Sequence, residues 1–365
     1  MRAVSSGRMS AWTLREFGAP ERFERTDAPL PTVRRGHVLI RVAATSVNPA
    51  DLEIRDGRAA VLAPPAPMVL HMDVAGTVVA AADDVVNVDV GDEVYGCAGG
   101  LRDAPGALAD YMLADARLVA RKPDSLSLGE AAALPLAGLT AWDALRRKAR
   151  VRRGDRVLVH GATGGVGHLA VQLAALDGAE VTATASSDAK LRVARELGAT
   201  HVVNHRDEPT ARYVARYTDG RGFDLVVDAS GGAALAESLA AARPNGTVVT
   251  VATRGAVDLG PMLRKGLSLH AVSTLLPLLT GEGRERHGAM LRELAATVDA
   301  GCLCPLLDEA RFTFDDVAAA HRRAASAERI GKVVLAHPEH ARVDFVTPAA
   351  AARSGAIRQL LAGSR

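Results

Sequence analysis

The stretch from Arg156 to Gly167, RVLVHGATGGVG, joins a short apolar run to a glycine-dense turn and then to an amphipathic segment, an order of residue types suited to a dinucleotide pyrophosphate. One position must turn tightly, the next must let the backbone approach the phosphates, and the last must let helix pack on sheet. Unpaired amides and the helix dipole then meet the negative charge. Two frames fit: Ala162, Gly164 and Gly167 with Gly165 as an extra glycine, or Gly165, Gly167 and Ala170. The phosphate contacts expected are Gly164, Gly165, Val166 and Gly167. In such a site the end of the second strand discriminates between cofactors. There the chain has Thr184, Ala185, Ser186 and Ser187, with no carboxylate to grip a ribose 2′-hydroxyl. Ser186, Ser187 and Lys190 would meet a 2′-phosphate, so NADPH is expected rather than NADH. The plainer alternative has Ser187 capping a helix from Asp188 and the basic residues solvated.

The elements that must position this loop alternate. Val157–Val159 form a strand, and Val166, Leu169, Ala170 and Leu173 recur at helical spacing. Glu180 to Ala185 is a second strand, followed by a helix through Leu191, Ala194 and Leu197 that stops at Gly198. Val202 and Val203, Phe223 to Val227, Thr247 to Val251 and Leu267 to Val272 supply four more strands. This is the pattern of an α/β domain with a doubly wound parallel sheet. The preceding segment, Val38 to Val119, differs: HVLIRVAAT, GTVVAA and DEVYG are short strands bounded by turn residues, which predicts a compact β barrel. Ser127 and Glu130 stand at capping-box spacing, opening a helix that Pro135 interrupts. After the sixth strand come helices over His287–Ala300 and Asp315–Ala324 and a strand in GKVVL, Gly331 to Leu335. The chain is therefore expected to return to the barrel: residues 9–130 for the barrel domain, 131–273 for the nucleotide domain, 274–340 for the return and 341–365 for a tail.

Composition narrows the partners. The 365 residues are 48% hydrophobic, enough for two cores. The formal net charge of +2 comes from 44 basic and 42 acidic residues without long runs, and aromatic content is 3%, so neither nucleic acid nor an anionic membrane is expected as a partner. Cys97, Cys302 and Cys304 have no disulfide or zinc spacing, which suits a reducing compartment. MRAVSSGRMSAW lacks the apolar core of a signal peptide and no stretch is suited to span a bilayer, so a cytoplasmic protein is expected.

Further segments carry a family likeness: VNPADLEIRDG (Val47 to Gly57), HMDVAGTV (His71 to Val78), GDEVYG (Gly91 to Gly96), ALADYM (Ala107 to Met112), AAALPLAGLTAWDAL (Ala131 to Leu145), HGATGGVG (His160 to Gly167), VDASGG (Val227 to Gly232) and GKVVL. With these the chain resembles the medium-chain dehydrogenase/reductase superfamily, and within it the zinc-lacking quinone oxidoreductases related to zeta-crystallin. The resemblance implies a GroES-like catalytic domain beside the Rossmann domain, NADPH as hydride donor, homodimerisation through Rossmann-domain edge strands, and a quinone or α,β-unsaturated carbonyl as substrate. It also implies that Asn48 reaches the nicotinamide or substrate region, that Asp51 supports it and that Thr140 lies near the nicotinamide. His205 stands where related reductases carry a tyrosine beside the adenosine, and Lys332 would contact a cofactor phosphate. Local alternatives stand beside each role: Asn48 before Pro49 is a good N-cap, Asp51 favours a helix dipole, Thr140 is a helix hydroxyl, His205 a surface histidine and Lys332 a strand-edge lysine.

Zinc dehydrogenases of the superfamily bind their catalytic metal through two cysteines and a histidine. The motif positions here carry Asn48, His71 and Leu136, so no metal is expected and His71 becomes a pocket or core residue. Reduction of an electron-poor quinone or enone proceeds without such a Lewis acid. The stretch after Gly57, RAAVLAPPAPM, lacks the tyrosine that donates a proton in some enoyl reductases, leaving water or His71 as proton sources. The alternative functions are a carbonyl or alcohol oxidoreductase and a non-catalytic NADPH-binding sensor.

Overall fold

The computed structural model describes residues 7–232, 234–252 and 256–340; the expected tail, 341–365, lies outside them. Its contacts divide the described chain into two units, one of residues 7–136, 275–299 and 307–340, the other of residues 137–274 and 300–306. The first unit opens with β1 (Arg8–Leu14), β2 (Glu24–Pro29), β3 (His37–Ser46), β4 (Met68–Val69), β5 (Asp73–Ala81), β6 (Glu93–Cys97), β7 (Tyr111–Asp115) and β8 (Val119–Arg121). All but two residues of β3 are buried, so its apolar run faces protein on both sides.

The second unit contributes β9 (Arg156–His160), β10 (Glu180–Ala185), β11 (His201–Asn204), β12 (Phe223–Asp228), β13 (Ala242–Thr250) and β14 (Ser268–Ala271). They form one parallel sheet in the order β11-β10-β9-β12-β13-β14. Two halves diverge from the β9–β12 pair, which makes that pair the topological switch point of a doubly wound fold. The helix Gly165–Leu176 leaves the end of β9 there. The sequence shows a single apolar stripe on it, whereas every residue from Gly167 to Ala175 is buried, as befits a helix enclosed all round.

The chain then returns with β15 (Phe312–Thr313) and β16 (Val334–Ala336). In the barrel unit a seven-stranded sheet runs β15-β16-β3-β5-β6-β8, with β7 also on β3, and β2-β1-β4 form a smaller sheet. The expected GroES-like barrel and Rossmann sheet are thus both present, with three local differences. Pro135 opens a second helix, Pro135–Trp142, because its missing N–H costs nothing in a first turn. Leu136 donates its N–H to Asp73 in the barrel, so the division falls at 136/137 rather than 130/131. Residues 300–306 join the nucleotide unit, held by buried Gln172, which donates to the Cys304 carbonyl at 2.9 Å and accepts from the Cys304 N–H at 3.0 Å.

Gln172→Ala leaves both backbone groups of Cys304 without these partners, at an expected cost of about 2–4 kcal/mol in urea unfolding with an unchanged m-value. A loss under about 0.5 kcal/mol would show that other contacts pin the segment.

Candidate active site

Each unit gathers a set of polar side chains. In the barrel, register does the gathering. Strands β3 and β5 are antiparallel with Ala44 opposite Ala75, and β16 pairs with β3 with Val334 opposite Ser46. Following those pairings brings Ser46 beside Asp73, and Asn48, just past β3, toward Lys332, just before β16. One carboxylate oxygen of Asp73 accepts from Ser46 Oγ at 2.7 Å, Asn48 Nδ2 at 2.8 Å and Lys332 Nζ at 3.3 Å. The other accepts the Leu136 N–H at 2.8 Å. Lys332 Nζ also donates to Asn48 Oδ1 and to the Val47 carbonyl, so its three N–H groups have three acceptors. Lys332 is 4% exposed and Asp73 fully buried. Removing either partner would strand the other charge, at about 3–5 kcal/mol.

Asn48 precedes the helix Pro49–Arg55 as expected, and its own N–H donates to Asp51 Oδ2 at 2.7 Å. The other oxygen of Asp51 is buried without a hydrogen-bond partner. Burial pushes the Asp51 carboxyl up to about 7, with the nearby charge of Asp73 adding to the rise against the opposing Asn48 N–H and Lys332 charge. Behind this cluster His71, in a left-handed backbone conformation at φ +74, meets His321 with Nε2 to Nε2 at 2.9 Å and the rings nearly parallel. Burial holds His71 well below the usual imidazole range and His321 at about 3, so both rings are neutral and one Nε2 donates to the other.

In the nucleotide unit, the turn after β9 is built by close backbone approach. Gly161 has φ +68, and a Cβ on Gly167 would lie 2.1 Å from the Gly161 carbonyl oxygen. Only glycine fits at Gly167, and the Gly164 N–H closes the turn on the same carbonyl at 2.9 Å. The amides of Gly165, Val166 and Gly167 occupy the first turn of the helix, whose N–H groups have no partner within the helix. At the end of β10, Ser186, Ser187 and Lys190 are half-buried, and exposed His205 donates its N–H to the Ala185 carbonyl at 3.2 Å. Ser187 Oγ caps the next helix by accepting the Lys190 N–H. Both readings of Ser187 are therefore compatible, since a capping hydroxyl keeps its own proton to donate. Thr140 is buried with its hydroxyl 2.6 Å from that of Thr274.

Residues 34–124 match the profile of the alcohol dehydrogenase GroES-like domain and residues 165–282 that of the zinc-binding dehydrogenases. The chain is 30% identical to a human quinone oxidoreductase over 329 residues, covering 90% of this chain and 97% of that protein. It belongs to the medium-chain dehydrogenase/reductase superfamily. Among this superfamily's members it is also 32% identical to the 2-methylene-furan-3-one reductase of Solanum lycopersicum, over 90% of this chain and 79% of that one. A crystal structure of an alcohol dehydrogenase superfamily protein from Novosphingobium aromaticivorans aligns with a TM-score of 0.85 at 37% identity, covering 90% of this chain and 99% of that one. The chain also matches much longer proteins, spanning only 15% of a mycocerosic acid synthase-like polyketide synthase of Mycobacterium tuberculosis and 14% of a phthioceranic/hydroxyphthioceranic acid synthase of Mycobacterium bovis.

The zinc that gives part of this superfamily its name does not suit the residues present. His71 Nε2 faces a second imidazole at hydrogen-bonding distance, the Asn48 amide is engaged by Asp73 and Lys332, and Leu136 has no donor side chain. Among the described residues no group of three or more His, Cys, Asp or Glu is placed to hold a metal ion. The dinucleotide does suit them, because the glycine turn leaves the space and the amides a pyrophosphate requires. Of the residues singled out in the sequence, Asn48, Asp51 and Lys332 come together, and Ser186, Ser187, Lys190 and His205 gather near the ends of β10 and β11. The expected contact of Lys332 with a cofactor phosphate is not what the structure displays, since Asp73 draws its ammonium inward. Asp73, Ser46 and His321 were not marked by the sequence; their partners lie far off in the chain, and only strand register brings them in.

Asp51 generates a pH prediction. A carboxyl whose folded pKa is raised holds its proton more tightly folded than unfolded, so its favourable contribution is complete below about pH 4 and is lost as pH rises to about 7. Asp51→Asn keeps the acceptor for the Asn48 N–H and removes the titration. Its stability relative to the parent is expected to improve by on the order of 2–3 kcal/mol between pH 5 and pH 8 in paired denaturant titrations. A difference that does not change with pH would contradict the assigned protonation.

Proposed function

We propose that this protein is an NADPH-dependent, metal-independent reductase of quinones or α,β-unsaturated carbonyls. The observation that carries this reading is the imidazole pair: the one histidine at a metal-ligand motif position donates to or accepts from His321, beside an asparagine already engaged by a buried ion pair. Such a set is poorly suited to ligate a Lewis acid that would stabilise an alkoxide, which favours acceptors that are electron-poor by themselves. Similarity to a quinone oxidoreductase and to a reductase of a methylene-furanone supports the substrate class.

The bound nicotinamide would supply the hydride; the chain supplies orientation and electrostatics. Gly164, Gly165, Val166 and Gly167 would hold the pyrophosphate at the helix start, where the dipole and first-turn amides favour anions. Ser186, Ser187 and Lys190, with His205 alongside, would hold the 2′-phosphate, a preference supported by the absence of a carboxylate at the end of β10. Thr140, paired with Thr274, would offer a buried hydroxyl on the nicotinamide side. Asn48 and Asp51 would serve as a rigid polar backing for the substrate region, fixed by Asp73 and Lys332. No helix among the described residues is long and apolar enough to cross a membrane. A cytoplasmic homodimer, joined at the open edge of β14, completes the proposal, with no nucleic acid or membrane partner.

NADPH oxidation against 1,4-benzoquinone, 9,10-phenanthrenequinone and a simple enone is expected to show turnover of at least one, in a sample whose metal analysis gives no stoichiometric zinc. Failure with all three, or one zinc per chain, would overturn the reading. Lys190→Ala is expected to raise KM for NADPH about tenfold or more while leaving NADH nearly unchanged. Equal losses for both cofactors would remove Lys190 from the phosphate site.

A further inference from the structure

The VDASGG segment ends β12 with a carboxylate that no step above uses. Asp228 is fully buried at the switch point of the sheet, in register with His160 on β9 and with Thr250 on β13. One of its oxygens accepts the N–H groups of Ser230 at 3.1 Å and Gly231 at 2.8 Å; the other accepts the Thr250 hydroxyl at 3.0 Å. The side chain thus bends the chain sharply as soon as the strand ends. The bend has no slack. Gly231 is left-handed at φ +71, where a Cβ would lie 2.4 Å from the Ala252 carbonyl oxygen. On the other side of the turn the Ser230 hydroxyl lies 2.6 Å from where a Cβ on Gly161 would be. The second glycine turn is therefore wedged between the end of β13 and the first glycine turn, and Asp228 with Thr250 sets its height.

A dinucleotide lies across this crevice with one half on each side of the switch point. The side of β10 and β11 carries Ser186, Lys190 and His205, so it takes the adenosine half, and the side of β12 and β13 is left for the nicotinamide half. We propose that Asp228 and Thr250 are positioning residues that fix the Ser230–Gly232 turn as the floor of the nicotinamide half-site. This rests on the nicotinamide dinucleotide reading above. The first glycine turn has anchors of its own, the Gly164 N–H on Gly161 and the Ala162 N–H on the Thr184 carbonyl, so the adenosine side does not depend on Asp228.

The test separates the halves by calorimetric titration of the unliganded full chain with NADPH and with ADP-ribose 2′-phosphate, which lacks the nicotinamide. Asp228→Ala is expected to raise the Kd for NADPH about tenfold or more and to change that for ADP-ribose 2′-phosphate by less than about twofold. Thr250→Val should move the same ratio in the same direction by a smaller factor, and Thr250→Ser should restore it. That second pair decides the matter if Asp228→Ala does not fold. Parallel losses for both ligands, or no change for either, would overturn the positioning role. A parent protein that binds neither ligand would instead overturn the nucleotide reading on which it rests.

Discussion

A methyl group is too large for the space between Gly167 and the carbonyl of Gly161, and much of the nucleotide unit is arranged around that approach. Because the helix Gly165–Leu176 can start so close to the end of β9, its first-turn amides stand over the switch point of the sheet. The same closeness lets nine successive residues of the helix be buried, and the second glycine turn, at Ser230–Gly232, packs against the first from the opposite side. Backbone contact of this kind is stiffer than side-chain packing, since no rotamer can relax it. The dinucleotide site proposed above, with two ring systems to hold at a fixed separation, would benefit from that stiffness.

The barrel unit obtains its rigidity differently, from a buried charge pair. Asp73 accepts from four groups on three separate segments, and Lys332 uses all three of its donors within the same cluster. Buried ion pairs contribute little net stability compared with apolar packing, but their misplacement is costly, so they select one arrangement over near alternatives. Here the selected arrangement fixes the end of β3, the start of β5 and the segment before β16. The neutral histidine pair beside it has the same character: one imidazole must donate and the other accept, which constrains both tautomers.

Much of this architecture was legible in the chain. The six parallel strands show as short apolar runs and the glycine turn as a local pattern, because burial on both faces and a tight strand-to-helix turn each restrict residue type within a few positions. Strand ends were less visible: β13 begins at Ala242 rather than Thr247, and β16 begins at Val334 rather than Gly331, since pairing with neighbours, not residue type, sets where a strand starts. The site was legible where it is local, as at Gly164 to Gly167 and Ser186 to Lys190. It was not where it is assembled from afar. Lys332 looks like a surface strand lysine or a phosphate ligand until Asp73, 259 residues earlier, is placed opposite it, and His71 gives no sign of His321, 250 residues away.

The return of the chain to the barrel has a consequence for how the molecule is made. Residues 137–274 form a contiguous block with a complete parallel sheet, so they can fold while synthesis continues. The barrel cannot. The end of β3, Ala44 to Ser46, waits for β16, and Asp73 waits for its cation, until these late residues have left the ribosome. Until then the nascent chain carries a three-residue stretch of unpaired strand and a carboxylate without its cationic partner in its amino-terminal part.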